Sequence, residues 1–247
     1  MIKIFPNLVE LNNFAAEKFV EIARETIKKH GRFTVALAGG STPKSLYRLL
    51  SSSKFKGKFK RSKILFFFGD ERNVSPTDAE SNFRMAKETL FQPLEIAGEN
   101  IFRWQTELDN ADITAKDYER KIKKKFDLAE NEFPRFDLIL LGMGADGHTA
   151  SLFPFSEALR ETEQITAANY LEKLNTTRLT LTFPTINNAR NIIFLVAGAE
   201  KAEILHEVLE GESQPEKLPA QNINPKDGNL FWLLEENVAK LLRNYGS

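Results

Sequence analysis

The chain has 247 residues, 42% of them hydrophobic and 28% charged, with 34 basic and 34 acidic side chains. That length is ample for a buried core, and the balanced charge lacks the basic excess expected of a nucleic-acid or membrane-surface protein. There is no cysteine, so disulfides, thiolate catalysis and thiolate metal sites are excluded.

The opening stretch MIKIFPNLVELNNF has no apolar signal core, and no apolar run reaches the about 18 residues of a membrane span. A cytoplasmic protein is the default expectation. Leu11, Ala15, Phe19 and Ile22 mark one face of a helix over 8–30, ended by Gly31. FTVALA (33–38) reads as a buried strand, and GGSTPKSLYRLL opens a helix after it. The basic stretch Lys54 to Lys63 reads as a solvated loop. KILFFF (63–68) is a second buried strand, SNFRMAKETLF (81–91) a helix, IFRW (101–104) a short strand, and DITAKDYERKIKKKF (112–126) a helix with a charged outer face. FDLILL (136–141) is a third buried run, RLTLTF (178–183) alternates like a half-exposed strand, and IIFLVA (192–197) is buried again. AEKAEILHEVLE (199–210) is a helix, and the chain closes with FWLL and a helix to about residue 243. The longest irregular stretch, 211–229 with Pro215, Pro219 and Pro225, lies too near the end to divide domains. Continuous apolar strands alternating with amphipathic helices predict a single α/β domain over 1–247, a Rossmann-like, mostly parallel sheet with helices on both faces. Ligands in such folds bind beyond the carboxyl ends of the strands, so the loops after 38, 68, 141 and 197 carry the interest.

In the first loop, AGGSTPKS, Gly39 and Gly40 let backbone approach a ligand, Ser41 or Thr42 can cap the next helix, and Pro43 suits its first turn. Free N–H groups and the helix dipole there make an anion site, although a plain strand–turn–helix has the same pattern and the GxxxxGK(S/T) spacing is missing. The second loop crowds Asp70, Glu71 and Arg72 at a strand end, where a solvated turn or a substrate site would each fit. The third loop, GMGADGHTASLFP (142–154), matches the bare G-x-G-x-x-G spacing. A dinucleotide fingerprint needs a helix directly after the glycines and an early place in the chain. Here Pro154 follows within seven residues of Gly147 and the loop is mid-chain. The alternative reading centres on Asp146 and His148: a neutral imidazole accepts a proton from water, and a carboxylate beside it sets its tautomer. A capping or hydrogen-bonded structural histidine has the same pattern, and the glycine-rich loop at a buried strand end favours function. Of the three histidines, His30 sits at a helix end and His206 inside a helix, and no HxH or HExxH spacing points to zinc. In the later loops Arg178, at the start of RLTLTF, and Lys201 are cations of the kind that usually sit on the surface; Lys201 in a first helical turn opposes the dipole, which suits either a shared anion or a solvated lysine.

Together, AGGSTPKSLY (38–47), FGDERNVSPTDAESNFRMA (68–86), LGMGADGHTASLFP (141–154), RLTLTFPTINNAR (178–190) and FLVAGAEKAEIL (194–205) resemble the 6-phosphogluconolactonase family over nearly the whole chain. The resemblance implies hydrolysis of 6-phosphoglucono-1,5-lactone to 6-phosphogluconate in the oxidative pentose phosphate pathway, with no metal and no redox cofactor. It implies His148 as the base that activates water, supported by Asp146. It implies Asp70 and Arg72 lining the sugar site, and Gly40, Ser41, Thr42, Arg178 and Lys201 holding the phosphate. Gly69 departs from the residue many members carry before the Asp, with little consequence expected. The segment 161–177 is not diagnostic. The rival readings are a glucosamine-6-phosphate deaminase, a non-catalytic sugar-phosphate sensor on the same fold, and a nucleotide-dependent oxidoreductase.

Overall fold

The computed structural model describes residues 1–243. In chain order it runs β1 (Ile2–Phe5), α1 (Leu8–His30), β2 (Phe33–Leu37), α2 (Ser41–Ser51), β3 (Ile64–Phe68), β4 (Asp70–Arg72), α3 (Asn82–Ala86), α4 (Ala111–Phe126), β5 (Leu138–Leu141), β6 (Thr166–Leu171), β7 (Thr176–Leu181), α5 (Phe183–Asn187), β8 (Asn191–Val196), α6 (Ala202–Glu210), β9 (Asn229–Glu235) and α7 (Glu236–Ala239).

Six strands form one sheet in the order β1-β9-β8-β5-β2-β3, every neighbouring pair parallel. The apolar runs explain the order. β2, β3 and β5 are buried along their whole length, as strands covered on both faces must be. The helices begin and end where the local chemistry dictates. The Asn7 side chain accepts from Glu10 N at the start of α1, and Gly31 takes the left-handed conformation (φ 76°) at its end. Asn110 caps α4 in the same way through Ile113 N. Between β2 and β5 the strand order reverses: the chain leaves β2 toward β3 and leaves β5 toward β8. That switch point opens a crevice between the loops that follow the two strands.

Three corrections to the sequence expectations concern a second sheet, β4-β7-β6, which is antiparallel throughout. RLTLTF is its middle strand and is not half-exposed: Leu179, Thr180 and Leu181 are all buried, and only Arg178 is partly open. The neighbouring strands β4 and β6 were not expected. Gly69 is the junction, donating to Leu37 O in the first sheet at 2.9 Å while accepting from Leu181 N in the second at 2.8 Å. A Cβ at Gly69 would meet Leu37 O at 3.6 Å, an ordinary contact, so another residue there fits. Elsewhere IFRW pairs only at Ile101 with Phe66. The helix over 81–91 is α3 followed by a π turn over Lys87–Phe91, and the last helix stops at Ala239. The edge strand β1 was also unforeseen. One continuous apolar core spans both sheets and the helices against them.

Candidate active site

The carboxyl ends of β2, β3, β5 and β8 share one edge of the parallel sheet, so their loops converge on a single cleft of about 410 Å³. Gly40, Ser41, Thr42, Asp70, Arg72, His148, Arg178 and Lys201 all line it. Asp146, the remaining sequence candidate, stands behind His148 rather than in the wall. His30 and His206 are not part of the cleft lining; His206 Nε2 lies 3.5 Å from Glu210 on α6.

Two buried tyrosines fix the strand ends that carry the first two loops. Tyr47 on α2 accepts from Ala38 N at 3.0 Å and donates to Ala38 O at 2.8 Å, just beyond β2. Tyr118 on α4 accepts from Phe68 N at 2.8 Å at the end of β3. Burial pushes both phenols far above their ordinary range, so each stays a neutral hydroxyl able to donate and accept at once.

The start of α2 is capped differently from the expectation. The N-cap is Gly40 (φ 98°), and no side chain caps the helix. Ser41 and Thr42 are instead the first two helical residues, so their N–H groups stay uncapped at the positive end of the dipole. Gly39 lines the cleft and also leaves room for Asn82: a Cβ there would run into the Asn82 side chain, which reaches Asp70 O at 3.1 Å and Asp70 Oδ1 at 3.3 Å. Lys201 ends the turn Ala199–Lys201 and caps α6; no carboxylate pairs with it among the described residues.

On β4, successive side chains point to opposite faces. Glu71 turns inward and accepts from Asn82 N (2.7 Å), Phe83 N (2.8 Å), Arg72 N (2.8 Å) and Ser81 Oγ (3.2 Å). Burial raises its carboxyl, and the backbone donors oppose that. It is an anchor for the start of α3 and not a cleft residue. Asp70 is buried, at 8% exposure, and its carboxyl is raised by burial, against the pull of Arg72, a hydrogen bond from Ser151 and the charges of His148 and Arg178. Arg72 lies directly across the ladder from Arg178. Like charges facing each other in a sheet repel. Burial, then the charge of Arg72, lower the Arg178 guanidinium below its ordinary value. A wall with two opposed arginines, an uncapped helix start and an unpaired lysine is suited to an anionic ligand.

The third loop is compact. Gly144 N donates to His148 O and Gly147 N to Gly144 O. Gly147 is left-handed (φ 79°), and a Cβ at Gly144 would run into the His148 ring. His148 Nδ1 lies 2.5 Å from Asp146 Oδ1. Partial burial raises the Asp146 carboxyl, but the hydrogen bond and charge of His148 outweigh it and hold the group below the ordinary carboxylate value. An ionised Asp146 only accepts, so Nδ1 carries the proton and Nε2 keeps its lone pair. Phe153 stacks on the imidazole with centroids 4.1 Å apart and sets its plane. No helix follows the glycines: residues 148–156 form turns and one bridge between Thr149 and Leu152, contrary to what a dinucleotide loop needs.

Sequence reasoning missed Ser81, Asn82, Ser151, Phe153 and Leu174. A capping signal, serine followed three residues later by a helical arginine whose N–H it accepts, marked Ser81. Nothing local marked the others. Leu174 brings the undiagnostic segment to the cleft from the turn between β6 and β7, at 57% exposure.

Comparison with known proteins places the chain in a family. Residues 6–232 match the family model described as glucosamine-6-phosphate isomerases/6-phosphogluconolactonase. A 6-phosphogluconolactonase from Nostoc sp. is 43% identical over 210 residues, covering 85% of this chain and 84% of that protein. One from Synechocystis sp. is 41% identical over 220 residues, covering 89% and 88%. The solved structure of 6-phosphogluconolactonase from Trypanosoma cruzi superposes with a TM-score of 0.87 at 31% identity, covering 98% of this chain and 96% of that one. The chain belongs to the glucosamine-6-phosphate isomerase/6-phosphogluconolactonase family.

Proposed function

We propose that the protein is a 6-phosphogluconolactonase, opening 6-phospho-D-glucono-1,5-lactone to 6-phospho-D-gluconate within the oxidative pentose phosphate pathway. The observation that carries this reading is the Asp146–His148 pair, 2.5 Å apart, with its histidine in the wall of a cation-lined cleft. The names of the relatives support the lactone as substrate.

The chemistry uses what the site holds. The Gly40–Thr42 helix start, Lys201 and Arg178 bind the phosphate, and Asp70 and Arg72 line the sugar. Binding energy from the remote phosphate fixes the ring for attack. His148 Nε2 takes a proton from water as the water oxygen bonds to the lactone carbonyl carbon, and Asp146 stabilises the imidazolium. The tetrahedral intermediate collapses by breaking the bond to the ring oxygen, which receives the proton from His148. The new carboxylic acid then ionises, so each turnover consumes one water and releases one proton. The loop supplies no serine nucleophile of the G-x-S-x-G kind, and the ester needs none. A phosphorylated sugar does not cross a bilayer unaided, so the reading places the enzyme in the cytoplasm with its substrate; among the described residues no helix is long and apolar enough to span a membrane.

The test offers the protein freshly made phosphogluconolactone and, separately, glucosamine 6-phosphate. The proposal expects faster loss of the lactone and no ammonia. Ammonia release would make the protein a deaminase, and phosphogluconate binding with an unchanged rate of lactone decay would make it a sensor.

A further inference from the structure

Ser151 uses every polar group it has, each on a different strand of the second sheet. Its Oγ donates to Asp70 Oδ2 on β4 at 2.8 Å. Its N–H donates to Thr180 Oγ1 on β7 at 3.3 Å. Its carbonyl accepts from Asn169 Nδ2 on β6 at 2.9 Å. Ser151 is 2% exposed and Asn169 1%, so none of these bonds is exchanged readily with water. The residue lies three positions after His148, next to Ala150, whose left-handed backbone (φ 48°) is disfavoured for a side-chain-bearing residue. Such a conformation persists where its surroundings over-determine it, and the Ser151 bonds do so here.

We propose that Ser151 is a positioning residue of the hydrolytic site, tying the loop that carries His148 to the sheet that carries Asp70, Arg72 and Arg178 and holding the Asp70 carboxylate in one orientation toward the cleft. The proposal rests on the lactonase reading for the reaction it serves. The base sits in the loop after β5 and the sugar-binding wall on the second sheet, which meets the first at Gly69. Ser151 adds a direct tie from that loop to the wall, and a misplacement of about 1 Å is enough to cost about 10²-fold in rate. The groups that face Asp70 are Arg72 on its own strand, Arg178 on β7, His148 in the loop and Asn82 on α3, with Glu71 and the Tyr47 phenol within electrostatic reach. Among the described residues, Asn82 from this group and Ser151 donate side-chain hydrogen bonds to its carboxylate.

The test compares Ser151→Ala, Ser151→Cys and Thr180→Val with the wild type. Two quantities are read: the steady-state constants for the lactone, and the titration of the Asp70 side-chain carbon by NMR, which needs no turnover. Ser151→Ala is expected to lower kcat about 10–100-fold with a smaller change in KM. It should also move the Asp70 titration upward by about one pH unit, because burial is then less opposed. Ser151→Cys, a weaker donor of the same shape, should fall between, and carries the test if the alanine variant does not fold. Thr180→Val removes the acceptor of the Ser151 N–H. Thr180 faces Asp70 across the ladder, but its hydroxyl bonds Ser151 N and Leu181 O rather than the Asp70 carboxylate, so the variant should leave the titration in place. An unmoved Asp70 titration in Ser151→Ala, or an equal shift in Thr180→Val, overturns the proposal. A wild-type protein that leaves the lactone's decay unchanged sinks the lactonase reading instead, and the Asp70 titration still decides whether Ser151 holds that carboxylate.

Discussion

Asp146 decides what His148 can do. By accepting from Nδ1 it leaves Nε2 as the basic nitrogen, and Phe153 holds the ring's plane. His148→Ala is therefore expected to lower turnover about 10²–10⁴-fold while phosphogluconate still binds, as isothermal calorimetry on the variant would show. Lys201→Ala should act differently, because among the described residues no carboxylate pairs with it and its proposed role is phosphate binding: KM rises, and kcat stays within a few-fold. An unchanged KM would remove Lys201 from the phosphate site. The pairing of Asp146 with His148 was legible in the sequence because the two stand two residues apart in a glycine-rich loop at the end of a buried run. Ser151 and Phe153 were not legible. A single serine in TASLF carries no pattern, and only the fold shows that strands from a distant segment meet it.

At the scale of elements, the parallel sheet was readable and the antiparallel one was not. LILL and ILFFF are apolar at every position, which only a strand covered on both faces tolerates. β4 is three charged residues, DER, and takes its strand form from pairing with β7 rather than from propensity. β6 has burial that follows no period of two, so its sequence, TAANYL, hides it. The glycines mark which loops tolerate change. Gly144→Ala drives a methyl into the His148 ring and is expected to cut kcat at least about 10-fold, with the far-UV spectrum of the wild type. Gly69→Ala, where space exists, should stay within about 2-fold. Equal losses in both would mean that the third loop tolerates displacement and that the tight packing behind the imidazole is incidental.

For the whole molecule, the site is bought against stability. Asp70 and Glu71 are both raised, by burial first. A carboxyl raised in the folded state holds its proton more tightly there than in the unfolded chain. Its contribution is full below the ordinary carboxylate range and is lost as pH rises through the raised folded value. Asp70→Asn keeps the shape: the amide oxygen can accept from Asn82, and the amide nitrogen can donate to the Ser151 hydroxyl. That variant should lose activity yet melt about 2–4 °C higher at neutral pH, the shift that about 1 kcal/mol produces in a chain of this size. Its advantage should vanish in acid, where the wild-type carboxyl is protonated; a neutral-pH melting point below the wild type would contradict the burial argument.

The central claim is that His148, oriented by Asp146, activates water against a phosphorylated lactone. The most direct measurement is the initial rate of proton release from fresh phosphogluconolactone in weak buffer, corrected for spontaneous hydrolysis, with wild type and with His148→Ala. The account predicts clear acceleration by the wild type and loss of nearly all of it in the variant. Equal acceleration by both proteins would contradict it, because the cleft would then be hydrolysing the lactone without its base.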